Sequence, residues 1–293
     1  MIYASGVSMR GKQHEKEDSP CQDAFAIIKC SGELVVAAVA DGLGSQLHSG
    51  FAARVAADES TEYCAAHLCE TSSEEKPLEV IKNAFHSALE LIERRSQNPN
   101  GDFSDAYDLD QCDTTLTAAV ILDDYLYYGQ SGDSGIIALM EDGHYEAITT
   151  QQRDEEGRVY PLCFGESKWE IGRTEQKVAA VLLATDGILE TFSPCYLKEH
   201  NVGLYIGLLR YYTDIETLGT VEDVDESIRE RIESVLGSIP SGVVDDDKTL
   251  VVIINDNVKP EKQPPEYYAT PEWETLRQKW RLSFREQAYP GLM

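Results

Sequence analysis

Short apolar runs that end at an Asp-Gly pair are the most regular pattern along this chain. The run 34–40 (LVVAAVA) precedes Asp41-Gly42, and the run 178–185 (VAAVLLAT) precedes Asp186-Gly187. Each run is short and bounded by turn residues, which predicts a buried strand. Glycine after the carboxylate permits a sharp turn and leaves backbone oxygens uncovered, so each strand end could hold a hard cation through oxygen ligands.

Turn residues between neighbouring apolar runs predict β-hairpins. In the first hairpin, strands over 24–30 and 33–40 flank the turn Ser31-Gly32. Antiparallel pairing of these strands places Asp23, at the start of one, beside Asp41, at the end of the other. Two carboxylates therefore share the open end of this hairpin.

A second hairpin and the last strand repeat this placement of carboxylates. Strands over 115–122 and 125–131 are followed by Asp133. The run Asp245-Asp246-Asp247 stands just before the last predicted strand, and its Asp meets Asp186 if the strands that they flank are antiparallel. The predicted strands cover residues 2–8, 24–30, 33–40, 115–122, 125–131, 135–141, 144–149, 178–185 and 248–255.

Helices are predicted where apolar residues recur three and four positions apart. They cover residues 48–68, 77–95, 194–212 and 222–236. The polar segments 10–20 and 96–112 are expected to be loops, and 151–176 shows little periodicity. An excursion of that length is uncommon in a compact domain and is often functional.

The composition changes near the C-terminus, which predicts a main domain over 1–256 followed by two further parts. Residues 257–269 are rich in proline and predict a linker, and Thr270-Pro271-Glu272 predicts a helix start within the segment 270–293. One stripe of that helix is apolar and consists of Trp273, Leu276, Trp280 and Phe284. We expect this C-terminal helix to dock on its own domain or to bind a partner.

Composition and charge exclude several classes of function. The chain has 293 residues, 42% of them hydrophobic, and a formal charge of -27 from 25 basic and 52 acidic residues. Nucleic acids and anionic membranes require basic surfaces, so neither is an expected partner. No apolar run approaches the roughly 18 residues of a membrane span and no signal peptide is evident, which predicts a soluble, cytoplasmic protein.

The seven cysteines are scattered along the chain without a CxxC pair. This spacing indicates neither a zinc knuckle nor a disulfide framework. Most of them lie in apolar segments, so we expect reduced thiols that serve as small core residues of an intracellular protein.

Convergence of the strand-end carboxylates would create a site for divalent cations. Two bare carboxylates about 4 Å apart repel by roughly 4 kcal/mol at an effective dielectric constant near 20, and protonation or a multivalent cation relieves this repulsion. Oxygen ligands without a cluster of His or Cys favour Mg²⁺ or Mn²⁺ over zinc. The alternative is that each Asp lies in a solvated turn, but their recurrence at strand ends favours a common site. The candidates are Asp23, Asp41, Asp133, Asp186 and Asp246.

Six ordered motifs resemble those of the protein phosphatase 2C family. They are Gln22-Asp23-Ala24, Asp41-Gly42-Leu43-Gly44, Thr114-Thr115, Gly132-Asp133-Ser134, Thr185-Asp186-Gly187 and Asp246-Asp247-Lys248-Thr249. The element Cys21-Gln22-Asp23-Ala24 is most similar to a bacterial branch. The resemblance implies an α+β fold, a four-layer α-β-β-α sandwich of two antiparallel sheets flanked by helices.

The resemblance also implies hydrolysis of phosphoserine and phosphothreonine in proteins by a water that bridges two Mn²⁺ or Mg²⁺ ions. By position, Asp41 would bridge both ions and the Gly42 carbonyl would serve one of them. Asp186 and Asp246 would hold the other ion, and Asp23 would act through metal-bound water. A phosphoprotein substrate implies an opposing Ser/Thr kinase, in bacterial signalling.

Two further parts of the family's site are assigned by the same resemblance. Asp133, together with Asp186, matches the residues that hold a weaker third ion in bacterial members. The excursion 151–176 occupies the position of the family's flap, which borders the substrate groove.

Several positions depart from the family pattern. Many members bind phosphate through an Arg shortly before the position of Asp23; here Arg10 or His14 could take that role, or each could be a plain surface residue. Leu43 replaces a His proposed as general acid in some members, which leaves His14 and His48 as candidates. In addition, Asp113 replaces the Gly that usually precedes the Thr pair. These departures keep open a second hypothesis, a pseudophosphatase that binds partners without turnover.

Overall fold

The computed structural model describes residues 1–30, 33–69, 76–99, 106–194, 203–214, 217, 223–240 and 243–288. Within them lie ten strands, which are β1 (Ile2–Met9), β2 (Asp23–Lys29), β3 (Val35–Asp41), β4 (Leu116–Leu122), β5 (Tyr125–Ser131), β6 (Gly135–Met140), β7 (Tyr145–Ala147), β8 (Glu170–Arg173), β9 (Val178–Ala184) and β10 (Lys248–Asn255).

The strands form two five-stranded antiparallel sheets. Sheet 1 has the order β1-β10-β9-β6-β7, and sheet 2 has the order β2-β3-β4-β5-β8. The helices are α1 (Lys12–Glu17), α2 (Ser49–Leu68), α3 (Pro77–Ser96), α4 (Asp186–Phe192), α5 (Ile206–Thr213), α6 (Val224–Ser238) and α7 (Trp273–Ala288). Short 3-10 helices lie at Leu109–Gln111, Leu162–Phe164 and Pro265–Tyr268.

The two sheets pack face to face, and helices cover their outer faces. Helices α2 and α3 cover sheet 2, whereas α4, α5 and α6 cover sheet 1. The central strands are therefore buried on both faces, which explains why their sequences are continuously apolar. In β3, Val35, Ala37 and Val39 point into the core between the sheets, and the residues between them pack against the helices. This arrangement confirms the predicted four-layer α-β-β-α sandwich.

The registers of three strand pairs bring the strand-end carboxylates to one end of the sandwich. Asp23 is the antiparallel partner of Asp41 at the end of the β2–β3 pair, as predicted. In sheet 1, β10 runs antiparallel to β9, with Leu250 opposite Ala184, so Asp186 and Asp246 lie at the same edge. Gly135 of β6 is also opposite Ala184, which brings the segment that contains Asp133 to that edge.

Three elements lie where the sequence predicted none. The predicted loop 10–20 contains α1, which has a single buried residue, His14, and so shows no apolar period. The excursion 151–176 contains β8, a four-residue strand at the edge of sheet 2. Helix α4 begins directly after β9 and is seven residues long, shorter than the windows in which a helical period can be recognised.

Other predicted elements agree with the structure within a few residues or lie outside the described part. Of the helix predicted over 194–212, residues 195–202 lie outside the described residues, and α5 covers the last part. The predicted turn Ser31-Gly32 also lies outside them. The loop predicted over 96–112 includes the 3-10 helix Leu109–Gln111.

The expectation that all cysteines are reduced core thiols is wrong on two counts. Cys30 and Cys69 form a disulfide, with Cα atoms 5.9 Å apart, and are 39 positions apart in the sequence. They meet because α2 packs across the β2–β3 pair and ends beside the start of its turn, a contact that residue spacing does not reveal. In addition, Cys163 is exposed, whereas Cys64 and Cys112 are buried free thiols as expected.

Residues after β10 pack on the edge of sheet 1. Val258 is buried, the Glu261 N–H donates to the Glu141 carbonyl (2.9 Å), and the Tyr145 N–H donates to the Tyr267 hydroxyl oxygen (2.8 Å). At the start of α7 the Trp273 ring lies edge-on to Tyr205, with ring centroids 4.6 Å apart. Among the helices of the described residues, none combines the length and the apolar character required to cross a bilayer.

Candidate metal centre

Asp41 is held by backbone and hydroxyl groups at the end of β3. Its N–H donates to the Thr115 hydroxyl oxygen (2.9 Å), and its carbonyl accepts hydrogen bonds from the Thr115 N–H (2.8 Å) and the Thr114 hydroxyl (2.9 Å). Gly42 forms an isolated β-bridge with Thr114. The paired threonines therefore fix the backbone on which the Asp41 carboxylate stands.

Asp23 lies beside Asp41 and is 6% exposed. Its Oδ2 accepts a hydrogen bond from the Thr185 hydroxyl (2.8 Å), and the Thr185 hydroxyl oxygen accepts the Thr249 N–H (3.1 Å). Thr185 directly precedes Asp186, so this chain of hydrogen bonds links the carboxylate of sheet 2 to the β9–β10 edge of sheet 1.

Three carboxylates converge between the two sheets. One oxygen from each of Asp41, Asp133 and Asp186 lies within 4.8 Å of the other two. Asp133 is buried, whereas Asp41 and Asp186 are partly buried. Asp41 ends β3, Asp133 follows β5 and Asp186 begins α4. These elements belong to both sheets, so the cluster forms only when both sheets are folded.

Burial and mutual repulsion raise the pKa values of these carboxyl groups. Burial raises the pKa of Asp41 well above its usual range, and the charges of Asp23 and Asp186 raise it further. Burial raises the pKa of Asp23 to about 7, although the Thr185 hydrogen bond opposes this shift. Burial and the Asp186 charge raise the pKa of Asp133 to about 6, and burial followed by the Asp246 charge raises that of Asp186. The cluster thus favours protons or a bound cation.

Asp246 lies at the exposed edge of this site. Its Oδ1 accepts the N–H of Asp247 (2.8 Å), and its charge acts on the carboxyl groups of Asp186 and Asp133. It stands outside the tight group formed by the other three carboxylates. The structure therefore brings four of the five predicted strand-end carboxylates into or beside one cluster, namely Asp23, Asp41, Asp133 and Asp186. The fifth, Asp246, is exposed at the edge of this cluster.

Asp247, which sequence reasoning did not select, organises the N-terminal loop. Its side chain is 3% exposed, and its oxygens accept the N–H groups of Gly11 (2.5 Å) and Gln22 (2.6 Å). His14 Nδ1 lies 2.9 Å from Asp247 Oδ2. These contacts hold α1 and the residues before Asp23 against the start of β10.

Each predicted phosphate ligand and general acid has a neighbour in the structure. Arg10 Nη1 donates to the Ser19 carbonyl (3.1 Å), and His14 is buried beside Asp247. His48 stacks on Tyr107, with ring centroids 3.7 Å apart and planes inclined by 5°. Each of these side chains thus has a structural partner.

Asp113, the departure before the Thr pair, lies in a loop contact. Its Oδ2 accepts a hydrogen bond from Gln46 Nε2 (2.7 Å), and its N–H donates to Gln46 Oε1 (2.5 Å). The Asp113 carbonyl accepts the Leu43 N–H (3.1 Å). This residue therefore fixes the loop between Gly42 and α2.

Arg153 is the site residue that sequence reasoning missed. Its Nη2 lies 2.5 Å from Asp133 Oδ2 and 3.0 Å from Asp186 Oδ2. Within the described part of the chain, these are the ion pairs in which the clustered carboxylates take part. The excursion 151–176 was expected to border the site, but nothing in its sequence distinguishes Arg153 from Arg158.

The donor set fits hard divalent cations. The cluster offers carboxylate oxygens from Asp41, Asp133 and Asp186, with neither imidazole nor thiolate among them. Raised pKa values show that the ionised forms lack sufficient compensation from the protein itself, which a divalent cation would supply. Oxygen-only sites of this kind select Mg²⁺ or Mn²⁺ over zinc.

Comparisons with known proteins agree with this geometry. Residues 10–228 match the family model described as protein phosphatase 2C. The structure is similar to the Mycobacterium tuberculosis serine/threonine phosphatase PstP/Ppp, with 20% identity, a TM-score of 0.53, and coverage of 86% of this chain and 98% of that chain. No curated protein matches the chain.

Two further solved structures are similar over most of their length. The catalytic domain of the serine/threonine phosphatase PstP in complex with two manganese ions has 21% identity and a TM-score of 0.54, with coverage of 86% of this chain and 97% of that chain. Stp1 from Staphylococcus aureus has 16% identity and a TM-score of 0.52, with coverage of 87% and 96%. At these identities the likeness establishes the fold.

Proposed function

Because this chain belongs to the protein phosphatase 2C family, we propose that it is a metal-dependent phosphatase that hydrolyses phosphoserine and phosphothreonine in proteins. The observation that carries the proposal is the convergence of Asp41, Asp133 and Asp186, whose oxygens lie within 4.8 Å of one another. Such a substrate is the product of a protein kinase, so the proposed reaction opposes a Ser/Thr kinase.

The residues proposed to hold two Mn²⁺ or Mg²⁺ ions are Asp41, the Gly42 carbonyl, Asp186 and Asp246, with Asp23 beside them. When bound, the ions would lower the pKa of a water molecule and neutralise charge on the phosphoryl oxygens. The protein contributes a rigid frame, because the Thr114-Thr115 pair fixes the backbone of Asp41.

Proton release would accompany metal binding at this site. Burial raises the pKa of Asp23 to about 7 and that of Asp41 well above its usual range. Because metal binding requires ionised ligands, the protons that these carboxyl groups retain would leave as the cation binds.

One observation favours a second candidate, a binding module without turnover. His14 is buried beside Asp247, so of the two candidate phosphate ligands in the N-terminal loop only Arg10 is exposed. A chain that retains the fold but lacks phosphate binding would act as a scaffold. The following experiment separates the two functions.

Hydrolysis of p-nitrophenyl phosphate should be measured with Mn²⁺, with Mg²⁺ and with EDTA, in wild type, Asp186→Asn and Asp256→Asn. We expect metal-dependent turnover in wild type and a fall of roughly 100-fold or more in Asp186→Asn, since loss of a metal ligand removes several kcal/mol of charge stabilisation. Asp256 is the matched control because it pairs with Lys259 beyond the far end of β10.

A phosphothreonine peptide provides the second substrate. If the folded wild type hydrolyses neither compound with either metal, the enzyme proposal fails and the scaffold remains. If Asp186→Asn and Asp256→Asn lose activity equally, the assignment of the metal centre is wrong.

A further inference from the structure

The guanidinium group of Arg153 lies within the acidic cluster. Its Nη2 atom is 2.5 Å from Asp133 Oδ2 and 3.0 Å from Asp186 Oδ2. The Asp133 side chain is 2% exposed, whereas that of Arg153 is 37% exposed. The partly exposed side chain of Arg153 therefore reaches from the solvent side to the buried carboxylate of Asp133.

The backbone beside Arg153 is anchored next to Asp133. The Gln152 N–H donates to the Gly132 carbonyl (3.0 Å), and the Gly132 N–H donates to Gln152 Oε1 (3.1 Å). Arg153 also forms an antiparallel bridge with Val159, which closes a short loop. These contacts fix the backbone next to Arg153, and they therefore hold its guanidinium close to the carboxylates.

Arg153 supplies the compensating charge that these two carboxylates otherwise lack. The charge of Arg153 opposes the rise in the pKa of both Asp133 and Asp186. A guanidinium is charged at every accessible pH and is weakly hydrated, so it can remain inside such a cluster. Arg153 contacts Oδ2 of both Asp133 and Asp186, so a divalent ion that used these oxygens would compete with the guanidinium.

We propose that Arg153 takes the place of a third divalent ion between Asp133 and Asp186, so that this protein binds two ions and carries the third positive charge on its own chain. The inference rests on the proposed function, which supplies the other two ions. It also assigns a positioning role to Arg153, which ties the segment 151–160 to the metal centre.

The number of bound ions tests this inference directly. Full-length wild type, Arg153→Met and Arg158→Met should be dialysed against Mn²⁺ from micromolar to millimolar concentration, with bound metal measured. Arg158 is the matched control, because it lies in the same loop and pairs with Asp154 on its exposed surface. We expect two ions in wild type and Arg158→Met, and three in Arg153→Met.

A second readout does not depend on metal. In EDTA, hydrogen–deuterium exchange of amides over 151–160 should be at least tenfold faster in Arg153→Met than in wild type, and unchanged in Arg158→Met. Arg153→Lys retains the charge and should bind two ions. Thermal unfolding of each variant confirms that it is folded before the ions are counted.

The outcomes separate this inference from the proposed function. Equal ion numbers in wild type and Arg153→Met overturn the inference, whether the number is two or three. A difference of one ion in a protein without turnover supports the inference and refutes the proposed catalysis. A wild type that binds no Mn²⁺ overturns both.

Discussion

The raised pKa values of the clustered carboxyl groups are caused by the residues around them. Asp41 stands on a backbone fixed by Thr115, and Asp23 is buried against Thr185. Removal from water and the proximity of like charges both favour the protonated form of a carboxyl group. The metal-free site therefore retains protons that isolated aspartates would release.

This retention predicts how the stability of the metal-free protein depends on pH. Asp23 and Asp133 have pKa values of about 7 and about 6 in the folded state, above the ordinary value of 3.8. Between about pH 4 and pH 7 the folded chain binds more protons than the unfolded chain, so its stability falls as pH rises through this window. In EDTA, the unfolding free energy should fall on the order of a few kcal/mol between pH 5 and pH 8.

Thermal and urea unfolding at the two pH values measure this dependence. Asp23→Asn should show a smaller fall, because the amide does not titrate, and excess Mn²⁺ should restore stability at pH 8. The interpretation is contradicted if wild type and Asp23→Asn respond equally to pH.

At the scale of elements, the close approach of β3 to α2 determines where the site can form. The loop after Asp41 turns sharply and brings Gly42 against the first residue of the helix. A Cβ atom on Gly42 would lie 2.6 Å from the Ser49 carbonyl carbon and 2.8 Å from its oxygen. Those are backbone atoms of α2, so the helix would have to shift.

Gly42→Ala should therefore destabilise the protein by about 1–3 kcal/mol, the usual range for overpacking. Gly44→Ala is the control from the same motif, because its Cβ would meet only Gln22 Oε1, at 3.9 Å. We expect Gly44→Ala to change stability by less than about 0.5 kcal/mol. Urea unfolding measures both, and equal stability of the two variants would refute the role assigned to this contact.

Two elements that the sequence did not predict, α1 and β8, are determined by contacts with other elements. Helix α1 is short and buries only His14, through a contact with Asp247 that is 233 positions away in the chain. Strand β8 is placed by its pairing with β5, in which Tyr127 is opposite Arg173. Neither element has the apolar period by which helices and strands are recognised.

At the scale of the whole molecule, the segment after β10 belongs to the packed structure in part. Val258 is buried, and Tyr267 accepts a hydrogen bond from the backbone of β7. Helix α7 also contacts the domain, because the Trp273 ring lies edge-on to Tyr205, whereas Leu282 is 50% exposed. The contacts of Val258 and Tyr267 thus lie before residue 269, and those of α7 begin at Trp273.

Two truncations test this division. A chain ended after residue 269 should retain its metal-dependent activity and its Tm within a few degrees. A chain ended after residue 256 should have a Tm lower by roughly 4–8 °C, since about 2 kcal/mol of burial is lost with Val258. Calorimetry of both chains measures the difference. Equal Tm values would show that residues 257–269 are a linker that does not contribute to thermal stability.

Features that depend on neighbouring residues could be predicted from the sequence of this protein. Continuous apolar runs predicted the central strands, and turn residues placed Asp23 opposite Asp41 in the observed register. The ordered motifs pointed to the family and to most of the acidic cluster. These features are readable because strand faces, turns and strand ends follow from residues that are near one another in the chain.

Contacts between residues that are far apart in the chain could not be predicted from the sequence. It brought Arg153 to Asp133 and Asp186, committed His14 to Asp247, and joined Cys30 to Cys69. A single Arg, His or Cys carries no periodic signal, and its partner is selected by how two sheets and their helices pack. The charge balance of the site is therefore a property of the folded chain, set by contacts between segments far apart in sequence.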